Sequence, residues 1–306
     1  MNSKISKCPV CASPGIFFKS YLSSSSILAG RSIHSCSNCG FYYVYEMPSE
    51  NQLLEYNSSY WSNAHSHSIV SDHSNPWFNL MATMRHNYIR EHITLDNLSI
   101  LEIGPGEGYL AKSILLKHDI ANYDVIESDT STHQALKNLP INVYSDLNSI
   151  SSSRRYDLVI LSHVLEHVST PFEFISVIKQ YISRSGYIFI EVPCLDLLHK
   201  DSHEPHLLFF DKPSLSYLLN KSLFNILDSV YVGTSLSDLP KSTISEFSFK
   251  VLQKLYRFIP GLKILLPNIE SLASIESNEQ KLLCLYHACH LYSSTPSYWL
   301  RAIAQL

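Results

Sequence analysis

Residues 101–109 read LEIGPGEGY, and this stretch decides how the chain folds. It follows a β-branched run that ends at Ile103 and precedes a helical pattern with apolar residues at Leu110 and Ile114. A glycine-rich turn from strand to helix lets a ligand approach the backbone at the carboxyl edge of a parallel sheet, where doubly wound folds bind their ligands. The stretch therefore predicts a ligand site on an α/β sheet.

The spacing of the glycines restricts the ligand. The dinucleotide pattern G-x-G-x-x-G would place its third glycine one residue later, and the lysine of G-x-x-x-x-G-K-[ST] is missing. The chain has E-x-G-x-G-x-G, with Glu102 ahead of Gly104, Gly106 and Gly108. This arrangement suits a zwitterionic, non-phosphorylated ligand: an acid for its amino group, exposed N–H groups for its carboxylate and a further acid for its ribose.

Short β-branched runs alternate with helical stretches on either side of the loop. With helices between them, such runs predict βαβ units and a parallel sheet that is covered on both faces. The expected strands are residues 99–103, 124–127, 142–144, 157–161 and 187–192. The prediction is a doubly wound, Rossmann-like α/β domain over residues 98–230.

Over residues 98–227 the sequence resembles the class I S-adenosylmethionine-dependent methyltransferases. Glu102 to Gly108 match the cofactor loop of that family, and Glu127 matches the acid that hydrogen-bonds the ribose hydroxyls. Asp146 and Leu147 match the pair beside the adenine. The resemblance implies S-adenosylmethionine as the cofactor and methyl transfer as the activity.

Residues 163–167, HVLEH, also fit H-x-x-E-H, a signature of zinc peptidases. A peptidase carries this motif inside a helix with a further ligand downstream, whereas here it follows directly on a predicted buried strand. Residues 156–168 instead resemble the fourth strand and the next loop of many methyltransferases. The resemblance places His163 on the cofactor side, with its backbone near the sulfonium end. We expect Glu166 to be exposed or to cap a helix. We expect His167 to lie on a helix face with its imidazole hydrogen-bonded to a neighbouring residue.

Two C-x-x-C pairs stand in the first forty residues. Four cysteines with this spacing present four thiolates to a tetrahedral Zn²⁺ and leave no open position for a substrate. The ligands would be Cys8, Cys11, Cys36 and Cys39. We expect residues 1–46 to form a zinc ribbon with a structural role.

The order of a four-cysteine module, a short aromatic segment and this core is similar to bacterial methyltransferases that act on sugars or related metabolites of glycan and natural-product pathways. In such proteins the segment that contains Tyr60 covers the cofactor, so residues 47–97 are expected to form a helical linker. From residue 231 to residue 306 the patterns at 244–259 and 280–292 predict a helical extension.

Methyl transfer to a hydroxyl or a carbon acid needs a base for the departing proton. Residues 205–210 resemble the stretch that flanks the acceptor pocket in related enzymes. The candidate bases are His206 and His203, with His163 closer to the cofactor. The expected acceptor is a small metabolite such as a sugar or nucleotide sugar.

The net charge of −4 disfavours a nucleic-acid partner, and no apolar run is long enough for a membrane span. Seven cysteines, four of them in metal-type pairs, fit a reducing compartment, so a cytoplasmic location is expected. Two alternatives stay open. One is an RNA methyltransferase with a zinc module, and the other is a catalytically silent S-adenosylmethionine-binding scaffold.

Overall fold

An eight-stranded sheet forms the centre of the protein. The structure is a computed structural model that describes residues 6–23, 27–60, 73–238, 275 and 277–306. The parallel part of the sheet confirms all five predicted strands: β4 (Ser99–Ile103), β5 (Asn122–Ile126), β6 (Asn142–Tyr144), β7 (Tyr156–Ser162) and β8 (Ile182–Pro193). The chain thus has the expected α/β Rossmann-like arrangement.

The sheet is completed by three strands that follow residue 224: β10 (Asn225–Ser235), β11 (Tyr292–Ser293) and β12 (Ser297–Gln305). The strand order is β11-β10-β12-β8-β7-β4-β5-β6, and β12 runs antiparallel to both β8 and β10. The sheet is therefore mixed, with its one central antiparallel strand supplied by the end of the chain.

The prediction of a helical extension over residues 231–306 is wrong for these strands. β12 lies between two other strands and most of it is buried, so its sequence SYWLRAIAQ lacks the polar–apolar alternation of a half-exposed strand. The pattern at 280–292 is helical only in its first part, as α7 (Asn278–Tyr286). The pattern at 244–259 lies outside the described residues.

Helices cover both faces of the sheet. One face packs against α2 (Pro76–His92), α3 (Tyr109–Leu115) and α4 (His133–Leu136), and the other against α5 (Pro171–Lys179) and α6 (Lys212–Lys221). Along β4, Ile100 belongs to the first core and Leu101 to the second, as the period of two in a strand requires. Each such fully buried side chain stabilises the fold by about 1.5–3 kcal/mol.

The cysteine module has a sheet of its own, formed by β1 (Gly15–Ser20), β2 (Ser32–Cys36), β3 (Tyr42–Tyr45) and β9 (Leu208–Phe209). The strand β9 comes from the middle of the core domain and pairs with β3. The module therefore shares its sheet and its hydrophobic core with the core domain, and it is not a separate ribbon.

The linker contains α1 (Glu50–Asn57), which begins with a capping box between Ser49 and Gln52. Short 3₁₀ turns complete the described elements: Thr130–Thr132, Leu147–Ser149, Leu165–His167, Asp196–Leu198 and Leu236–Asp238. Among the described helices, none has the length and apolar character needed to cross a bilayer.

A contact between the buried His86 and the half-buried His118 joins α2 to the residues after α3. His86 contacts the Ser113 hydroxyl through Nδ1 and the Nε2 atom of His118 through its own Nε2, both at 3.0 Å. Burial, aided by the nearby charges of His118, Lys117 and Arg90, lowers the pKa of His86 to about 4. The folded state thus holds this imidazole neutral.

We predict that this histidine makes the protein acid-sensitive. Because the pKa of His86 is lower in the folded than in the unfolded state, the unfolded state binds the extra proton first. The free energy of unfolding should then fall by on the order of 2–3 kcal/mol between about pH 6.5 and pH 4 on account of His86. Chemical denaturation at several pH values should show a shallower loss for His86→Gln. His92→Gln, in the same helix, is the control and should lose stability with falling pH as the wild type does. An equal dependence of the free energy of unfolding on pH in His86→Gln and wild type would contradict the prediction.

Candidate active site

A cavity of about 720 Å³ opens at the carboxyl ends of the parallel strands, above the glycine loop. Its walls come from α2, from the loops after β4, β5, β7 and β8, and from the start of β12. The lining includes Tyr60, Trp77, Arg85, Glu102, Gly104, Glu127, His163, His167, Asp196, His206 and Trp299. A cavity of this size suits a cofactor together with a small acceptor.

The glycine loop has backbone conformations that residues other than glycine rarely adopt. Gly104, Gly106 and Gly108 have φ angles of 67°, 58° and 82°. A Cβ atom on Gly104 would also lie 2.8 Å from the Val164 side chain. The backbone can therefore reach the cavity wall here only with glycine, as the sequence pattern predicts.

The two predicted acids stand on adjacent strands beside this loop. Glu127 accepts hydrogen bonds from the N–H groups of Gly106 (3.0 Å) and Asp129 (2.9 Å). Glu102 accepts a hydrogen bond from the Tyr123 hydroxyl at 2.6 Å. Burial raises the pKa of both carboxyl groups, that of Glu102 to about 7. Both glutamates line the cavity together with Gly104, so the structure brings these sequence-predicted residues together.

Asp146 and Leu147 do not line the cavity. Asp146 is exposed and caps the turn Leu147–Ser149 by accepting from the Ser149 N–H at 3.1 Å, while Leu147 packs against the core. Tyr60 does line the cavity, with its ring centroid 5.3 Å from that of His167. The covering segment thus meets the histidines that follow β7.

His163 links the cavity to a buried ion cluster. Its ring lies 3.2 Å from Glu166 through Nδ1 and 3.3 Å from Glu191 through Nε2. Burial opposes its protonation, but the hydrogen bonds with these two carboxylates outweigh burial and raise the pKa of His163. Glu191 is also bound by Arg85 from α2 and by Arg301 from β12. Burial opposes the charge on Glu191, but the two guanidinium groups hold its pKa well below the usual range.

Sequence reasoning missed both arginines. Arg85 lies in an amphipathic helix pattern, and Arg301 lies in a strand that was not predicted. One signal was available in each case, because an arginine within an apolar run needs a buried partner. Glu191, at the end of the fifth predicted strand, is that partner.

Glu166 is not exposed and caps no helix by its side chain, so that expectation is wrong. Only 1% of it is exposed, and its Oε1 lies 3.2, 3.8 and 4.0 Å from nitrogens of His163, His167 and His206. The chain turns into a 3₁₀ helix directly after His163, which directs the glutamate inward. Burial would raise the pKa of Glu166, but the hydrogen bond with His163 and the histidine charges lower it. Burial lowers the pKa of His167 to about 4.

His206 is paired with a carboxylate at the cavity wall. Its Nδ1 lies 2.6 Å from Asp196 Oδ2, and the same oxygen lies 2.8 Å from Lys200 Nζ. Burial opposes the charge on Asp196, but His206 and Lys200 depress the pKa of this carboxyl. Asp196, which the sequence did not single out, thus supplies a permanent negative charge to the imidazole.

His203 lies elsewhere, so its prediction as a candidate base is wrong. It is 1% exposed, does not line the cavity, and packs between Tyr21 and Phe209 with ring centroids 5.6 and 6.0 Å away. Burial lowers the pKa of His203 to about 4. Of these two histidines of an irregular segment, His206 lines the cavity and His203 does not.

Two groups of described residues bring metal-ligand atoms within 4.8 Å of one another. The first is Cys8, Cys11, Cys36 and Cys39, all free thiols, with sulfur–sulfur distances of 3.6 Å (Cys8–Cys39) and 3.3 Å (Cys11–Cys36). The second is Glu166, His167 and His206. His163 is not a member of the second group, so the histidines of H-x-x-E-H do not converge as they do in a zinc peptidase.

A family model described as a methyltransferase domain matches residues 78–229. The ubiquinone biosynthesis O-methyltransferase of Rickettsia prowazekii (strain Madrid E) is 25% identical over 232 residues, which cover 69% of this chain and 82% of that protein. The protein of the same name from Rickettsia canadensis (strain McKiel) is 32% identical over 117 residues, 35% of this chain and 50% of the relative.

Solved structures agree on the fold. The Burkholderia thailandensis 1,6-didemethyltoxoflavin-N1-methyltransferase, solved with S-adenosylhomocysteine bound, superimposes with a TM-score of 0.51 at 11% identity, covering 92% of this chain and 97% of that one. A chain of the complex between the Haloferax volcanii Trm112 methyltransferase activator and a putative methyltransferase gives 0.52 at 10% identity, covering 83% and 96%. Taken with the sheet and the glycine loop, the family model and the relatives identify the chain as an S-adenosylmethionine-dependent methyltransferase.

Proposed function

We propose that this methyltransferase acts on a hydroxyl group of a small acceptor, with His206 as the general base. The observation that carries the proposal is the contact of 2.6 Å between His206 and Asp196 at the cavity wall. A carboxylate on Nδ1 fixes the proton there and leaves Nε2 as the proton acceptor. Asp196 also stabilises the imidazolium that forms when His206 takes the acceptor's proton.

We further propose a division of labour for cofactor binding. Glu102 pairs with the amino group of the cofactor, and the glycines at 104, 106 and 108 let the amino-acid part of the cofactor approach the backbone of the turn. Glu127 accepts from the ribose hydroxyls, since each of its oxygens makes one hydrogen bond and has a lone pair left. The bound S-adenosylmethionine supplies an electrophilic methyl group on its sulfonium.

Other residues close the site around the cofactor. Tyr60 covers it and His163 stands near the sulfonium end, whereas Asp146 and Leu147, which match the adenine pair of the family, lie outside the cavity lining. These assignments come from the family resemblance. Aromatic walls from Trp77 and Trp299 exclude water and orient the acceptor close to the methyl group.

Two observations point to different classes of acceptor. The order of the modules is similar to sugar methyltransferases, whereas the relatives named above are ubiquinone biosynthesis O-methyltransferases. The aromatic lining of the cavity and the similarity to these relatives favour a hydroxyl group on an aromatic ring, as in a ubiquinone precursor. Labelled S-adenosylmethionine, incubated with panels of phenols and of sugars, distinguishes the two by mass analysis of the product.

We also propose that Cys8, Cys11, Cys36 and Cys39 hold a structural Zn²⁺. The four sulfur atoms fit such an ion because they lie within 4.8 Å of one another without forming disulfides. The N–H of Val10 points at the Cys8 sulfur at 3.4 Å, a typical support for a thiolate ligand. Four protein ligands would fill the coordination sphere, so the ion would stabilise the module without touching the acceptor.

We predict that the affinity for the cofactor product falls in acid because of Glu102. Burial raises the pKa of this carboxyl to about 7, and only its ionised form attracts the ligand's amino group. Affinity for S-adenosylhomocysteine should be constant above about pH 7 and fall about tenfold per pH unit below it. Calorimetric titration should show a weaker, pH-insensitive affinity for Glu102→Gln. A wild-type affinity that stays constant from pH 8 to pH 5.5 would rule out this role.

We predict that His206→Ala lowers turnover by about 10²–10⁴-fold and leaves the affinity for S-adenosylhomocysteine unchanged, because only the proton acceptor is removed. The assay follows transfer of labelled methyl to the acceptor found in the panels above. His92→Asn serves as the control, since His92 lies on α2 outside the cavity, and its rate should stay near that of wild type. Full activity of His206→Ala would mean that another group takes the proton.

A further inference from the structure

The segment that carries His206 is held by the cysteine module. Residues 196–210 run from the 3₁₀ turn after β8 to the strand β9, and β9 pairs with β3 of the module through Tyr42–Phe209 and Tyr43–Leu208. Lys19 donates to the Leu197 carbonyl at the other end of the segment. The loop with the proposed base is thus fastened at both ends to residues 19–45.

One contact of the module reaches His206 itself. The Tyr21 hydroxyl donates to the backbone carbonyl of His206 at 2.9 Å. Tyr21 is buried, and burial together with the charge of Glu204 raises the pKa of its hydroxyl far above the usual range, which keeps it a donor. One hydroxyl of the module therefore fixes the position of the His206 backbone at the cavity wall.

Bonds on both sides of this contact leave the segment little freedom. The Leu22 carbonyl accepts from the His203 N–H at 2.9 Å, and the Val44 N–H donates to the Leu207 carbonyl at 2.8 Å. Ser23 donates to the carboxylate of Glu204 at 2.5 Å. Residues 203, 204, 206 and 207 are each bound by the module.

The module in turn depends on its cysteines. Residues 19–23 lie between the two C-x-x-C pairs, and β2 ends at Cys36. A cation bound by these four sulfur atoms, which lie within 4.8 Å of one another, would join the two C-x-x-C turns, and its loss would remove that cross-link. A module that loses the cation would relax, and its sheet continues directly into β9.

The cofactor loop is held by different contacts. The Gly106 N–H donates to Glu127 directly after β5, the Gly104 N–H donates to the Ile126 carbonyl at 2.9 Å, and the Gly108 N–H donates to the Pro105 carbonyl at 3.0 Å. Relaxation of the module would therefore leave this loop in place. The glycine loop and the segment that carries His206 therefore rest on separate supports.

We infer that the metal-loaded cysteine module positions His206 for catalysis, with Tyr21 as the positioning residue, and that it does so without affecting cofactor binding. This inference rests on the proposed function, which assigns His206 as the general base. It makes the module part of the acceptor side of the site. Metal loss would then yield an enzyme that binds its cofactor but cannot align its base.

The test compares the full-length protein loaded with Zn²⁺ and stripped by a chelator. Hydrogen exchange followed by mass spectrometry reports on a peptide that spans residues 203–207, and calorimetry gives the dissociation constant of S-adenosylhomocysteine. We expect amide exchange in that peptide to accelerate at least about tenfold after stripping and to recover when Zn²⁺ is restored. The dissociation constant should change less than about twofold. Unchanged exchange, or a parallel loss of affinity, would overturn the inference.

A pair of matched variants tests Tyr21 with the metal in place. Tyr21→Phe removes only the hydroxyl that reaches His206, whereas Tyr43→Phe removes a hydroxyl that stays within the module, 3.3 Å from Ser6. The imidazole NMR signals of His206 should move in Tyr21→Phe and stay in Tyr43→Phe, with cofactor-product affinity intact in both. Signals of His206 unchanged in Tyr21→Phe would contradict the positioning role.

These readouts do not use turnover. If His206→Ala proved fully active, His206 would not be the base, yet exchange and NMR would still decide whether the module holds this segment. Conversely, coupling could fail while His206 remained essential. The two proposals therefore fail in distinguishable ways.

Discussion

The hydrogen bond from the Gly106 N–H to Glu127 is the contact on which the site depends. It ties the turn after β4 to the end of β5, so that the loop and the acid keep a fixed relation at the sheet edge. The turn can form this bond because its glycines adopt left-handed conformations. The segment with His206 is held separately, by Asp196 and by the cysteine module.

A second constraint is the buried charge on Glu191. A carboxylate removed from water has to be paired, and Arg85 and Arg301 do so from α2 and from β12. The cluster continues through His163 to Glu166. It thereby fixes the loop after β7 against the helix that forms one wall of the cavity.

Much of the core could be predicted from the sequence, and the reasons are local. Strands β4 to β8 are short β-branched runs, and the glycine loop has a spacing that few ligands fit. The strand β12 was not predicted because a buried strand lacks the alternation of polar and apolar residues. The strand β9 was not predicted because its two residues are too few to show a pattern. The pairing of Asp196 with His206 and the inward turn of Glu166 depend on how irregular segments fold, which no periodicity reports. The same holds for the separation of His203 from the cavity.

The most direct measurement is a calorimetric titration of S-adenosylhomocysteine into the wild-type protein and into Gly106→Arg. Residue 106 has a φ of 58°, and its N–H is bound to Glu127, so a side chain there would strain the turn and crowd the space beside it. If the loop and Glu127 form the cofactor site, the wild type binds and the variant loses at least about 100-fold in affinity. Equal affinity of the two proteins would show that the cofactor binds elsewhere.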